Sequence, residues 1–414
     1  GGASFMAHAS GLGAEPGTDR KDPVARLEAR IQSGEVVLAR DSKFGYLKSL
    51  LNALNIPASS QGFVFSRTSL QTDKITPWTP RALYFNDDVY IGFVQGSAFL
   101  EIGAVDPEKG GVFYTFSQTA RDKPAFTRET STCLMCHASR SATGGVPGFM
   151  VLSTIADRHG YPIVAAHEGA TTDATPLRQR FGGYYVTGSA GPRGHSGNVF
   201  APVSGYDVFD KEAYRGRFDL TTDSERLDLA GRFETAPYLS PSSDIVALMV
   251  LVHQTWVHNL ITATREAAVE AQNSAASSGD PSAATLQKVN GAVDRLLRAM
   301  LFVDEAPLPA PVKGNTAFVA DFEARGARDS RGRSLRDFDL KTRLFRHPMS
   351  FLVYSESFDA LPLVARRAFY ERLDAILRGE DNDAAFRRIP AEDRRAISEI
   401  LEATKPDFKA MRGR

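Results

Sequence analysis

The chain has 414 residues, and its 49 basic and 49 acidic side chains leave no formal net charge. A balanced charge without a basic patch argues against nucleic acid as a partner. Its hydrophobic content (43%) and charged content (24%) are ordinary for a globular protein. The most apolar run, IVALMVLV (Ile245–Val252), is too short to span a bilayer, so we expect no membrane span.

Residues 1–24 are rich in Gly, Ala and Asp, which predicts a flexible N-terminal tail. The opening GGASFMAHAS does not start with Met and is typical of a processed terminus or a tag remnant, so we expect that a leader has been removed. Hydrophobic residues at helical spacing then predict one helix over 22–35 and a second over Lys43–Asn55.

Over Arg81–Ser117 the spacing of hydrophobic residues changes from a helical pattern to one typical of strands. RALYF, VYIGFVQ, AFLEIGAV and GVFYTFS are rich in aromatic and β-branched residues, and NDD, GS and DPEKGG separate them. This pattern predicts an antiparallel meander. Further strands are predicted at GFMVLSTI, YPIVAA and GGYYVTG, so the whole region 25–240 is expected to be β-rich.

Within this region, ETSTCLMCHASRSATGGVPGF (Glu129–Phe149) contains both cysteines of the chain, Cys133 and Cys136, followed directly by His137. The chance that this spacing arises by accident is about one in ten thousand. In haem c, two thiols add to the two vinyl groups, and a gap of two residues fits their separation. The adjacent imidazole then binds the iron as the proximal ligand. The motif therefore predicts one covalently bound haem c.

Two other interpretations compete. A structural zinc site needs about four ligands, and the chain has no further cysteine. A thioredoxin-like redox pair stays open, because CxxC is its spacing too. However, the intervening Leu134 and Met135 differ from the usual Pro or Gly, and the histidine that follows would have no role.

Two residues near the motif are candidate cofactor-binding residues. Pro147 lies ten residues after His137, where its carbonyl could accept a hydrogen bond from the proximal imidazole and fix the ring. Equally, the glycines around Pro147 could simply form a turn before the next strand. Arg128 precedes the motif and is a candidate partner of a haem propionate.

From residue 241 the sequence becomes helical. SPSSDIVALMVLVHQTWVHNLITATREAAVEAQ has a helix start signal and is apolar on most sides, which predicts a central buried helix. NSAASSGDPSAA (Asn273–Ala284) is predicted to be a loop. LQKVNGAVDRLLRAMLF, LVARRAFYERLDAIL and PAEDRRAISEILEA are predicted to be amphipathic helices.

The predicted fold class is therefore α+β. An antiparallel β-rich haem-binding region (25–240) is followed by a mostly helical half (241–414), and the two could form one integrated domain. Small cytochromes c are almost wholly helical, so this chain does not have their fold. Because haem c is attached outside the bacterial cytoplasm, we expect a periplasmic or secreted protein.

The order of several segments resembles a group of uncharacterised bacterial single-haem c-type cytochromes. These segments are TPRALYFNDDVYIGFVQG, CLMCHAS, GGVPGF, FGGYYVTGSAG, HSGN, ALMVLVHQTWVHNLIT and SESFDALP. They extend over roughly residues 79–362. The resemblance implies a haem protein but no particular reaction. Di-haem peroxidases share only the CxxCH element, and the absence of a second CxxCH argues against their mechanism.

The side of the iron opposite His137 decides the function, since a strong sixth ligand favours electron transfer and an open position favours small-ligand chemistry. His195 lies in the Gly-rich GSAGPRGHSGN, and Arg193 is two residues away. Both are candidate distal catalytic residues, for acid–base chemistry and charge stabilisation respectively. An ordinary surface loop is the alternative for this segment.

Other distal candidates lie on the apolar helix. Met249 and His253 are one turn apart and share a face, so either could bind iron. His258 points about 140° away from His253, so the two histidines cannot both face the iron. For either histidine, a hydrogen bond in the core is the alternative. Only one of Tyr184 and Tyr185 can face the haem, because neighbouring strand residues alternate.

Three hypotheses follow. The first is a redox enzyme of peroxidase or oxygenase type that uses one haem c and a small-molecule oxidant or substrate. The second is an electron-transfer cytochrome with a six-coordinate iron and a redox partner protein. The third is a haem-based sensor of a small ligand. Chain length favours the enzyme, because a carrier needs much less protein to enclose one haem.

Overall fold

The computed structural model describes residues 20–119, 125–192, 194–201 and 225–412, with the backbone alone for 164–169. It is of the α+β class, with 39% helix and 17% strand. The sheet belongs to the N-terminal half and most helices to the C-terminal half, which confirms the predicted class.

The strands in the described ranges follow in chain order. They are β1 (Gly62–Val64), β2 (Arg81–Phe85), β3 (Val89–Phe93), β4 (Phe99–Asp106), β5 (Gly110–Ser117), β6 (Phe126–Glu129), β7 (Leu152–Asp157), β8 (Pro162–Ala170), β9 (Tyr184–Tyr185), β10 (Gly188–Ser189), β11 (Phe200–Ala201) and β12 (Glu225–Arg226). The main sheet has seven strands in the order β6-β5-β4-β3-β2-β1-β9, all antiparallel. The predicted meander over residues 81–117 is thereby confirmed.

The two faces of this sheet carry different residues, because side chains alternate along each strand. On one face Tyr84, Ile91 and Tyr114 belong to a hydrophobic core that also includes the N-terminal helices. The opposite face presents Tyr90 and Phe113, which pack with residues of the CxxCH segment. The CxxCH segment therefore lies against one defined face of the sheet.

The helices in the described ranges are α1 (Pro23–Gln32), α2 (Leu47–Ala53), α3 (Leu134–His137), α4 (Arg140–Thr143), α5 (Ile245–Ser278), α6 (Ala283–Met300), α7 (Phe318–Ala324), α8 (Glu356–Asp359), α9 (Leu363–Arg378), α10 (Ala384–Arg387), α11 (Ala391–Thr404) and α12 (Pro406–Arg412). Asp22 caps α1 through hydrogen bonds from two backbone N–H groups. The first helix thus begins inside the segment predicted to be a tail. The second helix is shorter than predicted, because an Asp41–Gly45 turn precedes it.

Helix α5 is the central buried helix that the sequence predicts. By length and composition it would pass as a membrane span, but 94% of its most apolar window is buried inside the protein. The predicted loop over Asn273–Ala284 is wrong in its first half, since the helix continues to Ser278. Gly279 ends the helix with a φ of 89°, a conformation that glycine adopts without strain.

The two predicted regions, 25–240 and 241–414, share a hydrophobic core. Val64, Phe85 and Val151 from the β-rich region belong to the same buried cluster as α5, α6 and α9. Burial of apolar surface is the main favourable term in folding, so the helical half stabilises the sheet face on which the haem motif lies.

Candidate functional site

The CxxCH segment forms a single helical turn, α3, at the surface. Cys133 already has helical φ and ψ of −67° and −38°, and its carbonyl accepts a hydrogen bond from the His137 N–H at 3.0 Å. Residues three and four apart lie on one side of a helix, so the turn brings both thiols and the imidazole together. Cys136 is exposed and Cys133 is half-buried.

The imidazole of His137 is clamped by the loop that follows. Its Nδ1 lies 2.9 Å from the carbonyl oxygen of Gly148, and the Gly148 N–H donates back to the His137 carbonyl at 2.8 Å. Because a carbonyl only accepts, Nδ1 carries the proton and Nε2 keeps its lone pair. Burial lowers the pKa of His137, which favours the neutral, ligating form.

The predicted role of Pro147 is therefore wrong by one residue. The Pro147 carbonyl instead accepts a hydrogen bond from the Gly111 N–H on β5 at 2.8 Å. This bond fastens the loop to the sheet, while the next carbonyl reaches His137. A side chain at Gly148 would overlap Oδ1 of Asn259, so the close approach of loop and helix requires glycine at this position.

Asn259 on α5 is a site residue that the sequence did not reveal. Its Oδ1 accepts from the Phe149 N–H at 2.9 Å and its Nδ2 donates to the Phe149 carbonyl at 2.7 Å. The central helix thus fixes the residue that adjoins Gly148, the acceptor for His137. The only sequence signal for this role was a polar residue within an apolar helical stretch. That signal does not distinguish a site residue from a polar residue that merely packs in the core.

Aromatic rings pack beside the imidazole. The Phe113 ring lies 4.4 Å from the ring of His137, and the Phe149 ring lies 5.6 Å from Phe113. With Val105 these rings form a small cluster against which Cys133 packs. A flat apolar cofactor attached at the thiols would find apolar contacts in this cluster.

Two glycines lie next to these rings on the same sheet face. A side chain at Gly103 would contact the Phe149 ring at 2.9 Å, and one at Gly92 would contact Arg81 and Glu101 at 3.3 Å. Cross-strand pairs join Gly103 to Phe113 and Gly92 to Glu101. The two glycines therefore allow the Phe149 ring and the Arg81 and Glu101 side chains to pack close to the strands.

An ion pair lies over Gly92 on this face. Arg81 Nη1 and Glu101 Oε2 are 2.9 Å apart, and each side chain is 16% exposed. The Arg81 Nε and the Glu101 Oε1 are buried without a hydrogen-bond partner in the described part of the chain. Tyr184 lies two strands away from Arg81 in the sheet, because Val64 on β1 pairs with Arg81 on one side and with Tyr184 on the other. Burial raises the pKa of Tyr184 to about 12.

The structure contradicts the prediction for Arg128. Arg128 pairs directly with Tyr114, and directly paired strand residues share a face. Tyr114 belongs to the core on the side opposite the haem motif. Arg128 therefore lies on the wrong face to meet a propionate of a haem bound at His137, whereas Arg81 lies on the right one.

His195 is buried in its loop. Its Nδ1 accepts a hydrogen bond from the Gly197 N–H at 3.1 Å. In the neutral imidazole the proton is then on Nε2, which leaves no lone pair there for iron. His195 in this tautomer is thus a poor iron ligand. Arg193 lies outside the described residues.

The other distal candidates are occupied elsewhere. His253 Nδ1 lies 2.7 Å from Asp173 Oδ2, and its Nε2 lies 2.7 Å from Ser350 Oγ. Both ring nitrogens are therefore engaged, which contradicts a role as iron ligand. Met249 is 1% exposed within the large core cluster. His258 bonds the Asp87 carbonyl through Nε2 at 2.8 Å.

Asp173, His253 and Ser350 have the order of contacts found in an acid–base relay. However, the side chains of His253 and Ser350 are fully buried, and the Phe302 ring stacks on the imidazole at 4.3 Å. A nucleophile must reach its substrate, and this hydroxyl is enclosed by the core. We interpret the three residues as a buried hydrogen-bond network that satisfies polar groups.

The two tyrosines of β9 point to opposite faces, as the alternation predicts. The Tyr185 hydroxyl donates to the Pro77 carbonyl at 2.8 Å within the N-terminal core. Tyr184 lies on the face of the haem motif. In the described part of the chain, no group of three or more His, Cys, Asp or Glu side chains could hold a metal ion.

The thiols themselves bear on the redox-pair interpretation. The pKa of Cys133 is raised to about 11, first by burial and then by the charges of Glu129 and Glu101. Catalytic thiols of redox motifs have lowered pKa values, because the thiolate is the nucleophile. Cys133 is therefore poorly suited to thiol–disulfide exchange at neutral pH.

These residues fit a covalently bound haem. Two thiols and an imidazole whose Nδ1 is hydrogen-bonded lie on one helical turn, and the adjoining sheet face carries a buried polar pair with two unfilled hydrogen bonds among the described residues. Two surface cavities of about 330 and 450 Å³ lie elsewhere, beside Arg394 and Arg40. The donor set is the one that haem c uses.

Comparison with known proteins adds no relative. No family model, curated protein or solved structure matches this chain. The resemblance of its segment order to single-haem c-type cytochromes stays a prediction. The assignment of haem therefore depends on the CxxCH sequence and on the contacts of His137.

Proposed function

We propose that the protein is an extracytoplasmic haem c protein that acts as a redox enzyme at a single haem. The observation that carries this proposal is the hydrogen bond from His137 Nδ1 to the Gly148 carbonyl at 2.9 Å. It fixes the ring and its tautomer, which leaves the Nε2 lone pair for a ligand bond. Cys133 and Cys136 would hold the group through thioether bonds, and periplasmic attachment follows from that linkage.

When bound, haem supplies an iron centre that exchanges electrons and takes small ligands such as peroxide or oxygen. The chain's own residues determine which of these dominates. His137 would bind the iron through Nε2, and its Nδ1–H bond to the Gly148 carbonyl would raise the basicity of that nitrogen. Phe113, which packs beside the imidazole, would shield the ring from water and lower the local dielectric around it.

An enzyme is favoured over an electron carrier by the state of the distal candidates. Both nitrogens of His253 are hydrogen-bonded, and Nδ1 of His195 accepts a hydrogen bond. A six-coordinate carrier would use one of these side chains or Met249 as its sixth ligand, and Met249 is buried in the core. His195 can instead serve as a proton donor to a bound oxidant. The electron-transfer and sensor hypotheses remain as the alternatives.

The visible spectrum of purified ferric and ferrous protein, with a pyridine haemochrome, tests this proposal. We expect haem that resists extraction by acidified solvent and a high-spin spectrum that shifts with cyanide or peroxide. A sharp low-spin spectrum unmoved by either ligand would contradict the enzyme and support the carrier. A colourless protein from a strain competent in haem c maturation would contradict haem altogether.

His195→Ala separates a catalytic role from a ligand role. We expect peroxide reactivity to fall by about 100-fold, the usual contribution of a general acid, with the resting spectrum unchanged. Stopped-flow mixing with peroxide measures the first and absorption spectroscopy the second. Conversion of low-spin to high-spin iron in the variant would show that His195 is the ligand. His159→Ala, at an exposed turn, is the matched control.

A further inference from the structure

The ion pair of Arg81 and Glu101 leaves two buried polar atoms without a hydrogen-bond partner among the described residues. Its two side chains satisfy each other through one contact at 2.9 Å, yet Arg81 Nε and Glu101 Oε1 are both buried with no partner among the described residues. Buried polar atoms in native proteins are nearly always hydrogen-bonded. Because the two side chains are paired, one ligand that both accepts and donates a hydrogen bond could satisfy both atoms.

The position of the pair indicates where that ligand comes from. Arg81 and Glu101 lie on the sheet face of the haem motif, and their charges act on His137. The strands from β5, where Phe113 contacts His137, to β2, where Arg81 lies, are three steps apart, roughly 14 Å. Gly103 and Gly92 lie on the two strands between them. The Glu101 charge also acts on Cys133, so the pair lies close enough to the CxxCH turn for a carboxyl arm of an attached haem to reach it.

A carboxyl group in its acid form matches both unpaired atoms. Its carbonyl oxygen can accept from Arg81 Nε–H, and its O–H can donate to Glu101 Oε1. The ion pair is already neutral as a whole, so the acid form adds no uncompensated charge to a buried place. A cation would meet the guanidinium, and an apolar group would leave both atoms unsatisfied.

We infer that Arg81 and Glu101 form the binding site for a haem propionate. This inference rests on the proposed function, because the propionate belongs to the haem that Cys133, Cys136 and His137 would hold. Arg81 takes the role that the sequence suggested for Arg128. The two arginines therefore make a matched pair, since they belong to the same sheet but to opposite faces.

The test compares reduction potentials of the haem-loaded protein and the variants Arg81→Gln, Glu101→Gln and Arg128→Gln. A unit charge about 12 Å from the iron, at an effective dielectric constant of about 20, changes the ferrous–ferric equilibrium about tenfold. This factor corresponds to about 59 mV for one electron. We expect Arg81→Gln to lower the potential by about this amount, Glu101→Gln to raise it, and Arg128→Gln to leave it unchanged.

A second readout addresses the propionate itself. The propionate bending band in the resonance Raman spectrum responds to hydrogen bonding, so it should move in Arg81→Gln and Glu101→Gln but not in Arg128→Gln. Circular dichroism establishes that each variant is folded. Because Glu101→Gln keeps the shape and one acceptor, it remains informative if Arg81→Gln does not fold.

The outcomes are distinct. Wild-type protein without covalent haem would overturn the proposed function and this inference together. Covalent haem with equal potentials and an unmoved propionate band in all three variants would overturn the inference alone. Shifts that occur only after acetate is added to desalted protein would assign the site to an external carboxylate, which also contradicts the inference.

Discussion

Gly148 connects the proximal imidazole to the rest of the protein. Its carbonyl accepts from His137, and its Cα faces Asn259. For Gly148→Ala we expect a fall in the free energy of unfolding of about 1–3 kcal/mol, because the new methyl group must displace the amide of Asn259. Urea unfolding followed by circular dichroism measures this change.

Gly291→Ala is the matched control for this substitution. Gly291 is inside α6, where the nearest atom to a new Cβ is the flexible end of Arg295 at 3.7 Å. Alanine is a better helix former than glycine, so its stability should be unchanged or higher by about 1 kcal/mol. Equal midpoints for Gly148→Ala and Gly291→Ala would show that the loop tolerates the methyl group.

At the residue scale, the sequence predicted residue types better than contacts. The CxxCH spacing predicts which histidine would bind iron, and the structure places His137 beside both thiols on one turn. The sequence predicted that the Pro147 carbonyl bonds this imidazole, whereas the structure shows the Gly148 carbonyl. The error arises because the direction of a carbonyl depends on φ and ψ, which spacing does not reveal. Arg128 was preferred to Arg81 because it is close to the motif in sequence. The face on which each lies follows from strand register, which a single sequence does not specify.

At the scale of elements, α5 joins the helical half to the haem loop through Asn259. We expect Asn259→Ala to reduce the free energy of unfolding by about 1–3 kcal/mol, because the buried N–H and carbonyl of Phe149 lose their partners. Thermal and urea unfolding measure the loss. Ser277→Ala, at the exposed end of the same helix, should change stability by less than about 0.5 kcal/mol. A similar loss in both variants would contradict a specific clamp.

The elements themselves were largely predictable. The meander strands are rich in aromatic and β-branched residues and are separated by turn residues. Because their pairing is local, the residue pattern and the turns are enough to predict these strands. The extension of α5 to Ser278 was missed. The residues NSAASS contain loop-forming types, yet alanines and a preceding long helix allow continuation until Gly279. The strand predicted at GGYYVTG is longer than the observed β9, which has only two residues. Its aromatic residues suggested a strand, but they serve packing.

For the whole molecule, buried ionisable groups give a pH dependence of stability. Burial, and then Asp173, raises the pKa of Glu305 to about 8. The folded protein therefore binds more protons than the unfolded chain between about 4.5 and 8, and stability falls as pH rises through that window. Burial lowers the pKa of His258 to about 4, so its effect is confined to pH below about 6.5, where stability falls as pH falls.

Between pH 6.5 and 8 the titration of Glu305 dominates the pH dependence of stability. Each pKa unit corresponds to 1.36 kcal/mol, so we expect Glu305 to remove about 2 kcal/mol of unfolding free energy over that range. Urea titrations at several pH values measure the slope. Glu305→Gln, which retains an acceptor for the Leu344 N–H, should flatten it, whereas the exposed Glu270→Gln should not. An unchanged slope in Glu305→Gln would assign the pH dependence to other groups, such as Asp88, whose pKa burial raises to about 7.

The surface position of the CxxCH turn has a consequence for biogenesis. Met135 is 75% exposed and the Cys136 thiol faces solvent, while the sheet beneath is complete without them. Under the proposed function, the Cys136 thiol is the one that a maturation enzyme reaches first, whereas the half-buried Cys133 is less accessible. In protein without attached haem we therefore expect iodoacetamide to alkylate Cys136 rapidly and Cys133 slowly.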